Sequence, residues 1–236
     1  MINWIDNPAF GIALSLLCYQ ISNYIFIRTK QSYLNPLFVC IMLIIIFLMI
    51  FHIPFDTYMK GGSIINFMLG PVTIVLAVPM YKNWKQVKLY IFPILIGILV
   101  GCSLSITSVI ILGKLAGFDS QLIHSLTPKS ITTPMGIALS ESMGGNSSIT
   151  VAAIVFTGIF GAVVAPLVMR LFRIKTKTAK GIGIGTAAHA VGTSKAMEMG
   201  ETEGAMSSAA IGIAGVITVI LAPFLIPLVE KLLNWL

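Results

Sequence analysis

The hydrophobic and polar positions fall into a repeating pattern: long charge-free apolar windows separated by short polar loops. The windows are 7–27, 31–55, 61–81, 89–113, 142–169 and 204–229. Each is about 20 residues or longer, and a helix of that length crosses about 30 Å of hydrocarbon. Pro71, Pro79, Pro93, Gly97 and Gly101 lie inside them. Such residues are compatible with membrane helices, where neighbouring groups re-satisfy the freed backbone. Two further apolar stretches, 131–140 and 181–194, are too short to cross and read as re-entrant segments. The pattern therefore predicts an all-α polytopic membrane protein with about six full transmembrane helices. It also predicts two re-entrant or broken-helix hairpins; the count rises to seven or eight if a broken helix crosses.

Composition narrows the class. Of 236 residues, 57% are hydrophobic and 10% are charged, and the mean hydropathy is +0.97. A soluble domain carries about 25% charged residues, so an ordinary soluble enzyme and a disordered chain are both excluded. The net charge of +7 reflects topology rather than nucleic-acid binding. The basic residues cluster as Arg28 and Lys30, as Lys82, Lys85 and Lys88, and as Arg170, Arg173, Lys175, Lys177 and Lys180. With six crossings all three groups share the cytoplasmic side, and both termini lie outside. Trp4, Trp84 and Trp235 sit where interfacial anchors belong. Cys18, Cys40 and Cys102 are isolated in apolar windows, so no disulfide framework, metal site or cofactor is expected. The first residues lack a basic region and a small-residue cleavage site, and the first apolar segment is expected to be retained.

An internal repeat adds a constraint. At an offset of 57, Glu141 aligns with Glu198, Ala152-Ala153-Ile154 with Ala209-Ala210-Ile211, Gly158 with Gly215, and Ala165-Pro166 with Ala222-Pro223. A fainter echo at offset 63 pairs Pro71 with Pro134, Ile74 with Ile137, Met80 with Met143 and Asn83 with Asn146. The chain is one domain over 1–236. Residues 1–126 hold the N-terminal helices, 127–172 a first hairpin and its helix, and 179–232 a second hairpin and its helix. One crossing per unit is an odd number, so the two units are expected to be inverted. Their tips would meet near the bilayer midplane, a recurring arrangement in secondary transporters.

The candidate chemistry lies in those hairpins. In the first, Pro134 and Gly136 favour a break, Ser130, Thr132 and Thr133 offer hydroxyls, and Lys129 either attracts an anion or snorkels to the surface. Glu141 is either an intramembrane ionisable group or a solvated residue ahead of the next helix. In the second, small residues surround His189. That imidazole could bind a carboxylate, carry a coupled proton or merely bond a neighbouring helix. Gly192 and Thr193 complete the candidate substrate site. Lys195 either supplies positive field or pairs locally with Glu198, itself a coupling candidate. Asn66 and Asn146 are further polar candidates. GIGIG lacks the strand and spacing of a dinucleotide loop, and no nucleophile-elbow GxSxG occurs, so no enzyme is expected. His52 and His124 receive no role.

The segments PKSITTPMGIALSESMGG and TAAHAVGTSKAMEMG, with YMKGG, Asn66 and PMYKNW upstream, resemble the LrgB/CidB family of bacterial membrane proteins from about residue 10 to the end. The family pattern has serine before the histidine where this chain has Ala188. The missing hydroxyl is then either dispensable or supplied by Thr186. The resemblance implies a multi-pass protein of the bacterial cell membrane with a small LrgA/CidA-type membrane partner. It implies one of two activities. One is transport of small monocarboxylates such as pyruvate, glycolate or glycerate. The other is holin/antiholin-like modulation of murein hydrolase activity, membrane potential and lysis. The paired hairpins favour an alternating-access carrier of a small carboxylate, possible proton coupling included. A homodimer is expected from how such carriers assemble.

Overall fold

The computed structural model describes residues 4–29, 34, 36–68, 71, 75, 78, 81–82 and 84–233. Every regular element among them is a helix. Lys30, Ile74, Pro79, Met80, Asn83 and Trp235, named above, lie outside the described residues. The chain forms two compact units, residues 1–76 and 77–236.

The first unit holds a 3-10 turn (Trp4–Asp6) and three helices, α1 (Pro8–Thr29), α2 (Pro36–Ile50) and α3 (Phe55–Phe67). Leu14, Cys18 and Cys40 form its core with Phe10, Phe47 and Tyr58. Helices α1 and α3 cross backbone against backbone: a Cβ on Gly11 would strike the Tyr58 carbonyl, and one on Gly61 the Pro8 carbonyl. Small residues at a crossing are what permit that approach. The Ser15 hydroxyl meets the Tyr58 hydroxyl at 2.8 Å beside it. Lys60 lies within α3 and pairs with Asp6 at 3.0 Å, both exposed. Asn66, one residue from the end of α3, is exposed. The window 61–81 is only partly described, and within it α3 runs to Phe67.

The second unit holds α4 (Trp84–Leu89), α5 (Ile91–Leu115), α6 (Ser120–Leu126), α7 (Thr133–Ser142), α8 (Ser147–Leu171), α9 (Lys177–Met199) and α10 (Glu201–Leu233). Helix α5 buries one residue every four, Ile94, Ile98, Cys102, Ile106 and Ile110. That spacing puts them on one face. The upper part of this stripe meets Met206, Ala209, Ala210 and Ala214 of α10. The lower part joins Ile123, Ile131 and Leu139 to Ala222, Ile226 and Val229. Two helix starts are capped by side chains: Asp119 accepts from Leu122 N at 2.7 Å, and Asn146 accepts from Ser148 N and Ile149 N.

Helices α1, α5, α8 and α10 are long and apolar enough to cross a membrane. With the backbone bonded within each helix and large apolar side chains such as Leu104, Leu112, Phe156 and Phe224 exposed, the chain is built for lipid rather than water. Four of the six expected windows thus coincide with spanning-length helices; 31–55 contains the 15-residue α2.

Candidate functional site

Two helical hairpins converge on α8. In the first, α6 and α7 are the arms and 127–132 the tip. Its base is closed by polar bonds. Asn146 N donates to the Ser125 hydroxyl at 2.7 Å, and the Thr150 hydroxyl donates to the Ser125 carbonyl at 2.9 Å and bonds the Ser140 hydroxyl at 2.7 Å. The first arm is α6, which lies upstream of residue 127, where the sequence alone placed the hairpin's start. Thr132, at the tip, is the extended residue before α7.

The second hairpin is α9 itself, which breaks at Ala188 and His189, the latter at φ 39° and ψ −137°. The chain reverses there. Before the break, Gly181 lies against Glu203 and Gly185 against Ser207, so the arm runs along α10 in the same direction. After it, Thr193 lies against Ser207 and Met197 against Gly204, which is the opposite direction. The two arms touch where Gly192 packs on Ile184 and Ala188. The first arm reaches α8 near its end, Gly183 against Met169, and the tip lies mid-helix, Ala188 against Gly161 and His189 against Gly158.

Between α5, α8, the first tip and the first arm of α9 lies a cavity of about 1290 Å³. Its wall is mainly apolar, with Phe156 and Phe160 on α8 and Gly97 and Gly101 on α5. Lys129 is the only charged side chain among the described residues that line it. Its Nζ donates to the Ser105 hydroxyl at 3.1 Å and the Ser130 hydroxyl at 3.5 Å. No described carboxylate lies within ion-pair distance of it. Thr186, on the opposite hairpin, has a buried hydroxyl oxygen with no hydrogen-bond partner and lines the same space. An apolar wall with one cation and a few hydroxyls suits a small organic anion: the wall excludes water, and charge-assisted bonds are strong where water is excluded.

The other sequence candidates are distributed differently. Ser130 lines the cavity; Thr132, Thr133 and Pro134 cluster at the first tip but do not line it. His189 is 5% exposed, and its Nε2–H donates to the Ile154 carbonyl at 2.8 Å. The ring thus pins the second tip to α8 and stays out of the cavity wall. Thr193 is buried, donates to the His189 carbonyl at 2.9 Å and meets the Ser207 hydroxyl at 2.7 Å. Lys195 and Glu198 form a local ion pair at 2.7 Å at the hairpin base. Glu141 and Asn146 are exposed at the first base, Asn146 as the cap of α8. Among the cavity's hydroxyl residues, Ser105, Ser108, Thr157, Thr176 and Thr178 went unselected in the sequence, and Thr186 was named there only as an alternative source of the missing hydroxyl. Ser105 and Ser108 carried a usable signal, two of four hydroxyls grouped at 103–108 on a mostly apolar helix.

The Thr193–Ser207 contact predicts a measurable cost. Thr193→Val leaves a buried Ser207 hydroxyl short of its partner, worth about 1–2 kcal/mol. The thermal midpoint in detergent should fall by about 2–8 °C; an unchanged midpoint would remove the contact from the list of forces holding the hairpin.

Comparison with known proteins places this geometry in a lineage. The model of the LrgB-like family matches residues 15–228. The chain is 39% identical over 224 residues to a protein of Bacillus mycoides (strain KBAB4), covering 94% of this chain and 97% of that one. The same identity and coverage hold for relatives in Bacillus cereus (strain B4264) and Bacillus anthracis (strain CDC 684 / NRRL 3495). Each of the three is named antiholin-like protein LrgB. No solved structure matches the fold significantly.

Proposed function

The chain belongs to the LrgB-like family, and on that premise we propose that it is an antiholin-like protein of the bacterial cell membrane. In this reading it modulates murein hydrolase activity and lysis together with a small LrgA/CidA-type membrane partner. The observation that carries it is the near full-length similarity to antiholin-like proteins. Six crossings with both ends outside follow from the basic loops, and four of the described helices are long and apolar enough to cross.

One observation favours a second reading at the molecular level, carriage of a small monocarboxylate: the cavity with its single described cation between the first hairpin's tip and the first arm of the second. We infer that the hairpins are inverted copies. The offset of 57 superposes Thr132 on His189, the residues at which the two hairpins turn. It also superposes Gly158, which faces His189, on Gly215, which faces Met135 of the first hairpin. Each helix that follows a hairpin thus receives the other hairpin at the same repeat position. Helix α7 and the second arm of α9 both start at a tip, so each tip carries a positive dipole end, where an anion is favoured.

Proteoliposomes separate the readings. Labelled pyruvate and glycolate uptake is measured beside release of a trapped, unrelated dye, with and without the small partner. Saturable uptake with the dye retained supports the carrier. Dye release that responds to the partner but not to hairpin side chains supports the antiholin-like reading alone. For a carrier, Lys129→Ala removes a charge-assisted bond worth about 1.5–3 kcal/mol, so uptake kcat/KM should fall about 10- to 100-fold. Unchanged uptake would remove Lys129 from the site.

A further inference from the structure

At the base of the first hairpin, two buried acceptors face each other with no hydrogen between them. His124 lies in the last turn of α6, and its Nδ1 is 2.8 Å from the Met143 carbonyl. A carbonyl only accepts, so Nδ1 carries the hydrogen and the neutral ring leaves Nε2 bare. That nitrogen faces Glu230 Oε1, from the last turn of α10, at 3.6 Å. Both atoms are buried, and neither has a hydrogen-bond partner. Buried polar atoms are rarely left so, and a single proton would satisfy the pair at once. We propose that His124 and Glu230 form a proton-binding site that joins the base of the first hairpin to α10 only when the proton is bound.

The surroundings fit that role. The two side chains are 20% and 21% exposed, so a proton reaches them from solvent while the contact itself stays dry. The other charged groups at this end of the packed elements are Lys114 at the end of α5, Asp119 capping α6, Glu141 on α7 and Lys231 on α10. Helix α8 contributes none at this end. Among the described residues, none of the four is within ion-pair distance of His124 or Glu230. With the ring neutral, the two acceptors stay unjoined. Protonation converts them to a charge-assisted hydrogen bond, stronger than a neutral one. It then ties α6, which leads to the cavity-lining tip at Lys129, to α10. The site is independent of whether the cavity carries a substrate.

The test uses the full chain in lipid nanodiscs. Nitrogen-15 spectra of histidine-labelled protein, with His124 assigned by its loss in His124→Asn, read which ring nitrogen holds the hydrogen. The expected result at pH 8 is a protonated Nδ1 and a bare Nε2, with Nε2 gaining a hydrogen toward pH 5.5. A hydrogen on Nε2 at pH 8 overturns the proposal, and this reading needs no variant to fold. Thermal midpoints at pH 8 and pH 5.5 are then compared for the wild type, His124→Asn, Glu230→Gln and the double variant. Acidification should stabilise the wild type by about 2–4 °C relative to either single variant, with no further loss in the double variant. An equal pH response in all four proteins overturns it.

Discussion

Gly185→Leu should leave almost no folded protein. A Cβ at Gly185 would land on the Ser207 carbonyl, with Ala210 Cβ 2.9 Å away. The first arm of α9 cannot step back to make room. One turn earlier a Cβ on Gly181 would meet the Glu203 carbonyl and Met206 Cβ, so the arm lies against the α10 backbone along its length. Ser207 is also held from the other arm by Thr193 at 2.7 Å. Overpacking a core costs about 1–3 kcal/mol when side chains can shift; here two backbones must part, and the cost exceeds about 3 kcal/mol. Size-exclusion profiles in detergent report it as loss of the monodisperse peak. Gly212, on the same helix α10, has nothing within 4 Å of its would-be Cβ, so Gly212→Leu should elute like the wild type. If the two variants behave alike, backbone contact between α9 and α10 is not what sets stability.

The second large effect is at the other hairpin contact. A Cβ on Gly158 would sit 2.6 Å from His189 Cε1 and 2.9 Å from Nε2. The ring cannot swing away without breaking its bond to the Ile154 carbonyl. His189 also occupies a left-handed φ that a non-glycine residue adopts only when its surroundings hold it there. Gly158→Ala should therefore lower the thermal midpoint by several degrees, and His189→Ala should do so through the lost bond. Together they should cost less than the sum by about 1 kcal/mol or more, because removing the ring frees the space the methyl needs. A double-mutant cycle of thermal midpoints checks this; strict additivity would separate the glycine from the histidine.

These two contacts bear on the functional readings in one way. The second hairpin has joints to α8 and α10 made of glycine faces and a few polar bonds, whereas α5, the first hairpin and α10 interlock through large aliphatic side chains. On the carrier reading, glycine joints of that kind would let the second hairpin rock as a body. The same joints explain why His189, an obvious candidate for ligand contact, serves in this structure as the bolt on one of them.

Much of the fold was legible in the sequence. Charge-free length identifies membrane-seeking helices, since each buried charge in lipid is expensive. The short polar-ended stretches marked both hairpins, because Pro134, Gly136 and the small residues around His189 cannot sustain an apolar crossing. The offset of 57 paired Gly158 with Gly215 before their contacts were known. The ion pair of Lys195 with Glu198 was legible too, since three residues on a helix bring side chains together. What the chain order could not supply was which side chains face one another across 20 to 100 residues. Lys129 was legible as a cation, but its bonds to Ser105 depend on α5 lying beside the first tip. His189 was legible as unusual, yet whether it points to the cavity or to Ile154 depends on the reversal of α9. His124 and Glu230 are separated by most of the second unit, and only the packing of α6 on the end of α10 joins them. Local pattern determines where a helix starts, stops and seeks lipid, because those depend on neighbours along the chain. Tertiary structure decides which polar groups are paired and which are left open, because that depends on neighbours in space.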